Sequence, residues 1–257
     1  LDLMDDSFVS PAEWELERST RDPHRYQLRH RQSQRYLALS GLTDEVSAAA
    51  IVTLFPREGC AEFPELSLDA TGTITPHKWE DGAVYGIAEA HTHMMTNFGF
   101  GGGSIFHGSP FHRLGVEHAL PDCTPFHGDE GRRDIVGMFY DHGSNFDVAK
   151  LLPLVTSGES TEFNHHTEGF PVFTDWPNAR TSSTHQTMYC RWLERAWLGG
   201  LRLLVQHATG NSVLCSVVTG INAQQVRYDC NDMVAVDRTL EEMRHLERYV
   251  DAQAGGP

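Results

Sequence analysis

The chain has 257 residues, of which 35 are acidic and 20 are basic, so its formal charge is −15 at pH 7. Phosphate backbones are bound by clusters of Lys and Arg, and this acidic balance therefore argues against a nucleic-acid partner. With 40% apolar residues the composition is that of a globular protein. No apolar run is long enough for a membrane span. The feature that composition leaves to be explained is the number of histidines, which is 15.

Short β-like runs separated by turn residues occupy the first 80 residues. The runs are Arg25–Leu39, Ala48–Phe55 and Leu66–Ile74, and Gly or Pro lies between them. Runs of this length bounded by turn residues are typical of antiparallel strands. The sequence therefore predicts a small N-terminal antiparallel β module over residues 1–80.

The next zone begins with a predicted strand, Ala83–Met94, which is apolar enough to be covered on both faces. A long loop follows over residues 96–183, and it contains 12 of the 23 glycines, 6 of the 12 prolines and seven of the 15 histidines. Loops of this length inside a compact domain are usually functional. We therefore expect residues 96–183 to contribute to a site.

Regular structure is predicted again after the loop. A helix over His185–Leu198 capped by Thr184 is followed by a strand over Leu201–Ala208 and a helix over Asp232–Gln253. Alternation of strands and helices is typical of parallel sheets with right-handed crossovers, in which the loops after the strands build the site. The sequence thus predicts an α/β domain over residues 81–257.

The sharpest chemical motif is His91-Thr92-His93, at the end of the first strand of this alternation. Side chains two residues apart on a strand share one face, so His91 and His93 can reach the same metal ion. Imidazole is the commonest neutral ligand of zinc and related ions. Glu89 shares this face and is predicted to support the ligands. The motif therefore predicts a metal site with His91 and His93 as ligands.

The stretch AEAHTHM at Ala88–Met94 resembles the D-x-H-x-H motif on the first barrel strand of the amidohydrolase-like metal-dependent hydrolases. Within that superfamily the chain is most similar to bacterial proteins related to the membrane dipeptidases. The similarity covers residues 83–257 and extends to HTHMMTNFGFGGG, FHGSPFH and FPVFTDWPNARTSSTHQTMYCRWLERAWLGGLRLLV. Glu89 stands where the superfamily has Asp, and the dipeptidases carry H-x-D on this strand.

The resemblance implies a TIM-type (β/α)₈ barrel with one or two divalent ions, zinc first among them, at its C-terminal mouth. It also implies a bridging Glu or modified Lys and further ligands from later strands. Two strand–helix units are visible in this chain, whereas a closed barrel needs eight. We therefore expect the first part of a barrel, with the remaining ligands beyond Pro257.

Three further histidines are candidates around the substrate. His107 and His112 flank a Gly-Ser-Pro turn in the loop after His91 and His93, and such positions favour contacts with substrate or with the ligands. His207 follows the second strand, where barrel residues face the mouth. By contrast, His127 and Asp134 lie in turn-like segments, and the sequence favours a local role in those turns. Of His165 and His166, at most one is expected to serve a site, because adjacent side chains diverge.

The five cysteines form no C-x-x-C pair, which argues against a zinc ribbon or a thioredoxin-type site. The cysteines permit one disulfide, and they do not decide the cellular compartment, for which secretion is one alternative.

Two functions follow from the sequence. The first is a metal-dependent hydrolase in which a metal-activated water attacks an amide, ester or related bond of a small-molecule or peptide-like substrate. Its catalytic candidates are Glu89, His107, His112 and His207. The second is a non-catalytic binding protein, in which the β module and a degenerate barrel contact carbohydrate or protein.

Overall fold

The computed structural model describes residues 14–31, 33–59, 62–74, 78–102, 105–142, 151–160, 165–173, 184–223 and 226–254. The chain divides into two compact units, residues 1–62 and residues 63–257, whereas the sequence placed the division near residue 80. No helix of the described residues has the length and apolar character needed to cross a membrane.

The N-terminal unit contains a four-stranded antiparallel sheet in which the strands follow chain order. The strands are β1 (Trp14–Arg18), β2 (Tyr26–His30), β3 (Tyr36–Ala38) and β4 (Gly41–Thr43). The predicted run Arg25–Leu39 is two strands, because Gln34 adopts a positive φ of 56° and turns the chain. Of the run Ala48–Phe55, Val52 alone makes a bridge, to Tyr26, and the described run Leu66–Ile74 contains no strand.

The second unit contains two parallel strands and seven helices among its described residues. They are β5 (Ile87–Thr92), α1 (Val116–Ala119), α2 (Thr124–His127), α3 (Ile135–His142), α4 (Leu151–Ser157), α5 (Cys190–Leu198), β6 (Leu201–Gln206), α6 (Ser212–Gly220) and α7 (Asp232–Gln253). β5 pairs with β6 in parallel, with Thr92 opposite Gln206. The parallel pairing that the alternation predicted is therefore present.

The two parallel strands are largely exposed. Ile87 on β5 is 60% exposed and Leu203 on β6 is 57% exposed, although the sequence predicted a strand covered on both faces. β5 and β6 form a sheet of their own, and no barrel is closed within the described ranges. What the structure establishes here is the pairing and direction of the two strands.

The main core lies beside these strands and is built largely from the predicted loop. Buried side chains from before α1, from α1 and from the start of α5 pack together with α7; the fully buried members include Met95, Val116, Leu120 and Tyr189. The Tyr189 hydroxyl donates to the Glu65 carboxylate at 2.7 Å, and the Tyr249 hydroxyl of α7 contacts the same carboxylate at 3.1 Å. The described parts of residues 96–183 are thus packed, with short helices.

Helix α5 begins at Cys190, five residues later than the predicted start at His185. Thr184 does not cap it, since the N-cap is Tyr189 and the Thr184 hydroxyl donates to Asp134. His185 instead forms a parallel bridge with His107. Helix α7 matches its predicted bounds, α6 was not predicted, and a disulfide joins Cys215 of α6 to Cys230 before α7.

Candidate metal centres

Three imidazoles converge where the two parallel strands end. His91 and His93 come from the end of β5, and His207 follows β6 directly, with its backbone N–H donating to the Thr92 carbonyl at 2.9 Å. The His91 and His93 Nε2 atoms are 2.7 Å apart, and the His207 ring stacks on His91 with centroids 4.2 Å apart. We call these three residues the His triad.

The His triad has the donor set of an open metal site. Three imidazoles leave one position of a tetrahedral ion for water or substrate, as in catalytic zinc centres. In the present arrangement His91 and His93 share a hydrogen bond, because 2.7 Å is a donor–acceptor distance. Two nitrogens on one zinc ion lie about 3.3 Å apart for bond lengths of about 2.0–2.1 Å. Binding an ion therefore requires the His91 and His93 nitrogens to separate by roughly half an ångström. It also requires His207 to reorient, because its ring stacks on His91 and the three imidazoles do not each place a nitrogen within 4.8 Å of the others.

The remaining sequence candidates, Glu89, His112 and His107, differ in their contacts. The Glu89 carboxylate accepts a hydrogen bond from the His91 backbone N–H at 3.1 Å, so it holds the strand end that carries the ligands. His112 stacks on His118 with centroids 5.2 Å apart. His107 is buried, with 1% of the residue exposed, and its ring contacts those of His127 and His185, which belong to a second group of ligand residues.

The second group is buried and includes a cysteine. Cys123, His127, His165 and His185 each place one ligand atom within 4.8 Å of the others. We call these four residues the Cys/His cluster. Cys123 and His127 are 0% exposed and His185 is 3% exposed. The Cys/His cluster could hold a metal ion.

Local structure explains how three separate segments supply these ligands. Cys123 is the N-cap of the single-turn helix α2 and His127 is its last residue, so both side chains lie on one face four residues apart. The segment with His165 lies against this helix, because the His165 N–H donates to the Glu130 carbonyl at 2.8 Å and the Cys123 N–H donates to the Thr167 carbonyl at 3.2 Å. The His107–His185 bridge supplies the fourth ligand.

A buried carboxylate lies beside two of the ligands. Asp134 Oδ2 is 3.6 Å from His127 Nδ1 and 3.9 Å from His165 Nε2. Its orientation is held by the Thr184 hydroxyl, which donates to Oδ2 at 2.5 Å, and by the Gly137 N–H, which donates to Oδ1 at 2.8 Å. Asp134 is therefore positioned to support the imidazoles or to approach an ion directly.

Burial controls the protonation of these groups. It lowers the pKa of His127 to about 3, with a further decrease from His165, and it lowers the pKa of His107 well below its usual value. Burial also lowers the pKa of His165 and raises that of Asp134. It raises the pKa of the Cys123 thiol to about 11. The imidazoles of His127, His165 and His107 are thus neutral, which is the form that binds metals.

A cavity of about 340 Å³ lies next to both histidine groups. Its lining includes His93 of the triad, His185 of the Cys/His cluster and His107. Asn97, Gln186 and Thr187 supply polar groups, and Phe106 and Met188 supply apolar surface. His107, which the sequence placed near a substrate, therefore lines a cavity that the triad shares.

The sequence did not predict the Cys/His cluster. It favoured local turn roles for His127 and Asp134, it left open which of His165 and His166 serves a site, and it placed His185 in a helix. The structure puts His165 in the cluster, while the exposed His166 pairs with Asp122 at 3.3 Å. The one local signal is the spacing of four between Cys123 and His127 in a helical turn.

Comparison with known proteins identifies no relative of this chain. No family model matches the chain, and neither a curated protein nor a solved structure matches it significantly.

Proposed function

We propose that the protein is a metal-dependent hydrolase whose reaction centre is the His triad. The observation that supports this proposal is the convergence of His91, His93 and His207 at the carboxyl ends of two adjacent parallel strands. In α/β proteins this edge is where ligands bind. A place in the amidohydrolase-like superfamily, with a partial barrel, is part of the same proposal and depends on the H-x-H motif of β5.

In this proposal each residue has a defined task. The triad imidazoles hold one divalent ion, and that ion supplies Lewis-acid activation of water when it is bound. Zinc is the first choice, because imidazole suits it and three protein ligands leave an open position. Glu89 fixes the end of β5 through the His91 N–H. His107 contacts substrate from the wall of the cavity that it shares with His93.

The cavity favours a small, uncharged substrate. Its volume is about 340 Å³, near the lower end of the range of ligand sites. Among the described residues that line it there is no Asp, Glu, Lys or Arg, so no charged side chain offsets the desolvation of an ionic substrate. An ion at the triad would add a positive charge, which disfavours a cationic substrate and polarises the carbonyl of a neutral one. Amide and ester groups can be oriented by Asn97, Gln186 and Thr187. We therefore propose small neutral amides or esters as the substrate class.

The test combines metal content with hydrolysis. Plasma emission on the purified full chain, with a His91→Ala/His93→Ala double variant and a His207→Ala variant, measures the ion at the triad. We expect both variants to lose one equivalent of metal and the hydrolysis of a panel of small neutral amides and esters. His166→Ala is the matched control, because this imidazole is exposed and pairs with Asp122.

Unchanged metal content in the double variant would refute the assignment of the triad as a metal site. If the metal is lost but the wild type hydrolyses no member of the panel, the hydrolase proposal fails and a binding role is favoured.

A further inference from the structure

We propose that the Cys/His cluster is a closed, four-coordinate zinc site that holds together the described segments between residues 105 and 185. This site is distinct from the His triad in ligands, burial and role. It does not depend on the protein being a hydrolase.

The donor set is the first argument. Structural zinc centres use four Cys and His ligands, and the Cys/His cluster supplies four ligands of these two types, whereas calcium and magnesium select oxygen. His127 Nδ1 and His165 Nε2 are 3.4 Å apart, close to the edge of about 3.3 Å expected for two nitrogens on one tetrahedral zinc ion. This pair therefore needs almost no movement to accept an ion.

The orientation of His127 is the second argument. Its Nε2 atom lies 3.4 Å from the Ile105 carbonyl oxygen, and a carbonyl oxygen can only accept a hydrogen bond. The ring proton therefore belongs on Nε2, and the lone pair on Nδ1 points towards His165 and Asp134. Metal-binding imidazoles commonly donate their other N–H to a backbone carbonyl in this way, and the contact fixes the tautomer.

Charge balance is the third argument. Asp134 is 0% exposed, and its Oδ2 atom lies 3.6 Å from His127 Nδ1 and 3.9 Å from His165 Nε2. An ionised carboxylate at such a depth is costly without a compensating cation. A Zn²⁺ ion bound there would displace the proton of the Cys123 thiol, and the resulting thiolate together with the Asp134 carboxylate would balance the charge of the ion. The buried centre is then neutral as a whole.

The closed geometry and the local architecture point to a structural role. Four protein ligands complete the coordination of zinc and leave no position for a substrate. The ligands come from α2, from the segment around His165 and from His185. The α-helices that the structure describes between residues 105 and 160 have four to eight residues, and isolated helices of this length are unstable in water. A metal that links the three segments supplies the missing constraint.

The decisive experiment uses cobalt(II) in place of zinc in the full chain. A thiolate ligand gives a sulfur-to-cobalt charge-transfer band in the near ultraviolet. We expect this band in the wild type and in Cys190→Ser, which removes a buried free thiol outside the cluster, and we expect Cys123→Ser to lose it together with one equivalent of metal. A wild type without the band, or a Cys123→Ser variant that keeps it, would overturn the proposal.

The two proposals fail separately. The His91→Ala/His93→Ala variant should retain the charge-transfer band, because its substitutions leave Cys123 in place. Absence of hydrolysis would therefore not contradict a metal at the Cys/His cluster, and absence of the band would not contradict a metal at the His triad.

A second readout covers the case in which Cys123→Ser does not fold. Arg132 and Arg133 are exposed, and their backbone groups are tied to Ser160 and His127 inside the segment. Chelation of the wild type should accelerate tryptic cleavage after these two arginines at least tenfold, and restored zinc should reverse the effect. Equal cleavage rates with and without chelator would contradict a structural role.

Discussion

Replacing Asp134 with Asn removes one negative charge beside the Cys/His cluster while keeping the side-chain shape. The amide oxygen can still accept from the Gly137 N–H, which now donates to Oδ1 at 2.8 Å. The new NH₂ group takes the place of Oδ2, which lies 3.6 Å from His127 Nδ1. A donor there competes with an ion for the lone pair of His127, so zinc should bind more weakly.

The expected decrease in zinc affinity follows from the position of Asp134 beside the ligands His127 and His165. Loss of such a partner typically weakens metal binding about 10–100-fold, which is about 1.4–2.7 kcal/mol at 25 °C. At a fixed excess of zinc the folded state loses the same amount of stability. In a unit of roughly 200 residues, 1 kcal/mol corresponds to about 2–4 °C in Tm. We therefore expect the zinc-loaded variant to unfold about 3–11 °C below the wild type.

Without metal, the Tm of Asp134→Asn should equal that of the wild type or exceed it. A buried carboxylate is penalised by desolvation, and replacing it with a neutral group of similar shape is often neutral or stabilising. Thermal unfolding in zinc and in chelator, for Asp134→Asn and for wild type, measures both differences. Asp129→Asn is the matched control, because Asp129 is an exposed carboxylate in the same segment. Equal destabilisation in both conditions would refute the reasoning, since it would indicate a loss of packing unrelated to metal.

Two further substitutions test the parts of the fold that hold these sites. Tyr189→Phe removes the hydroxyl that donates to Glu65 at 2.7 Å. A buried hydrogen bond to a charged group contributes about 1.5–3 kcal/mol, and urea unfolding should show a decrease of that size in the free energy of unfolding. A decrease below about 0.5 kcal/mol would contradict the assigned contact. Gly131→Ala places a Cβ 2.4 Å from the His165 ring at a φ of +67°. We expect Gly131→Ala to displace His165 and to lose the buried metal. Gly82→Ala is the control, because Gly82 has a φ of +85° and open space where a Cβ would lie, so this substitution should cost only about 1–2 kcal/mol of backbone strain. Equal metal content in the two variants would exclude the predicted displacement of His165.

The sequence named all three residues of the His triad, His91 and His93 as metal ligands and His207 as a residue around the substrate. Strand periodicity places His91 and His93 on one face, and the parallel direction of β5 and β6 brings His207 to the same edge. The helix over Asp232–Gln253 was equally local, since its apolar stripe and its boundaries lie in one segment. The shared face of His91 and His93 and the bounds of this helix require no knowledge of distant contacts, whereas the position of His207 also depends on the pairing of β5 with β6.

The Cys/His cluster could not be predicted in this way. Its ligands come from three segments between residues 123 and 185, and no periodic pattern relates them. Thr184 shows the same limit, because its sequence context is that of a helix cap and yet its hydroxyl donates to Asp134, 50 residues away. Side chains whose partners are distant in sequence can override local preferences, and single-sequence patterns do not reveal those partners.

The pairing of β5 with β6 has a kinetic consequence. The hydrogen bond between the Thr92 hydroxyl and Gln206 joins residues 114 positions apart, and contacts of this range form slowly because the intervening chain must close a large loop. A zinc link between Cys123 and His185 would bypass about half of that loop, yet each halving lowers the closure entropy by only about 0.6 kcal/mol. By shortening the loop, the buried site would therefore stabilise the pairing of β5 with β6, and with it the triad, only slightly. We expect the triad to assemble late in folding, after the intervening segment is ordered, so an ion bound there reports a nearly completed fold.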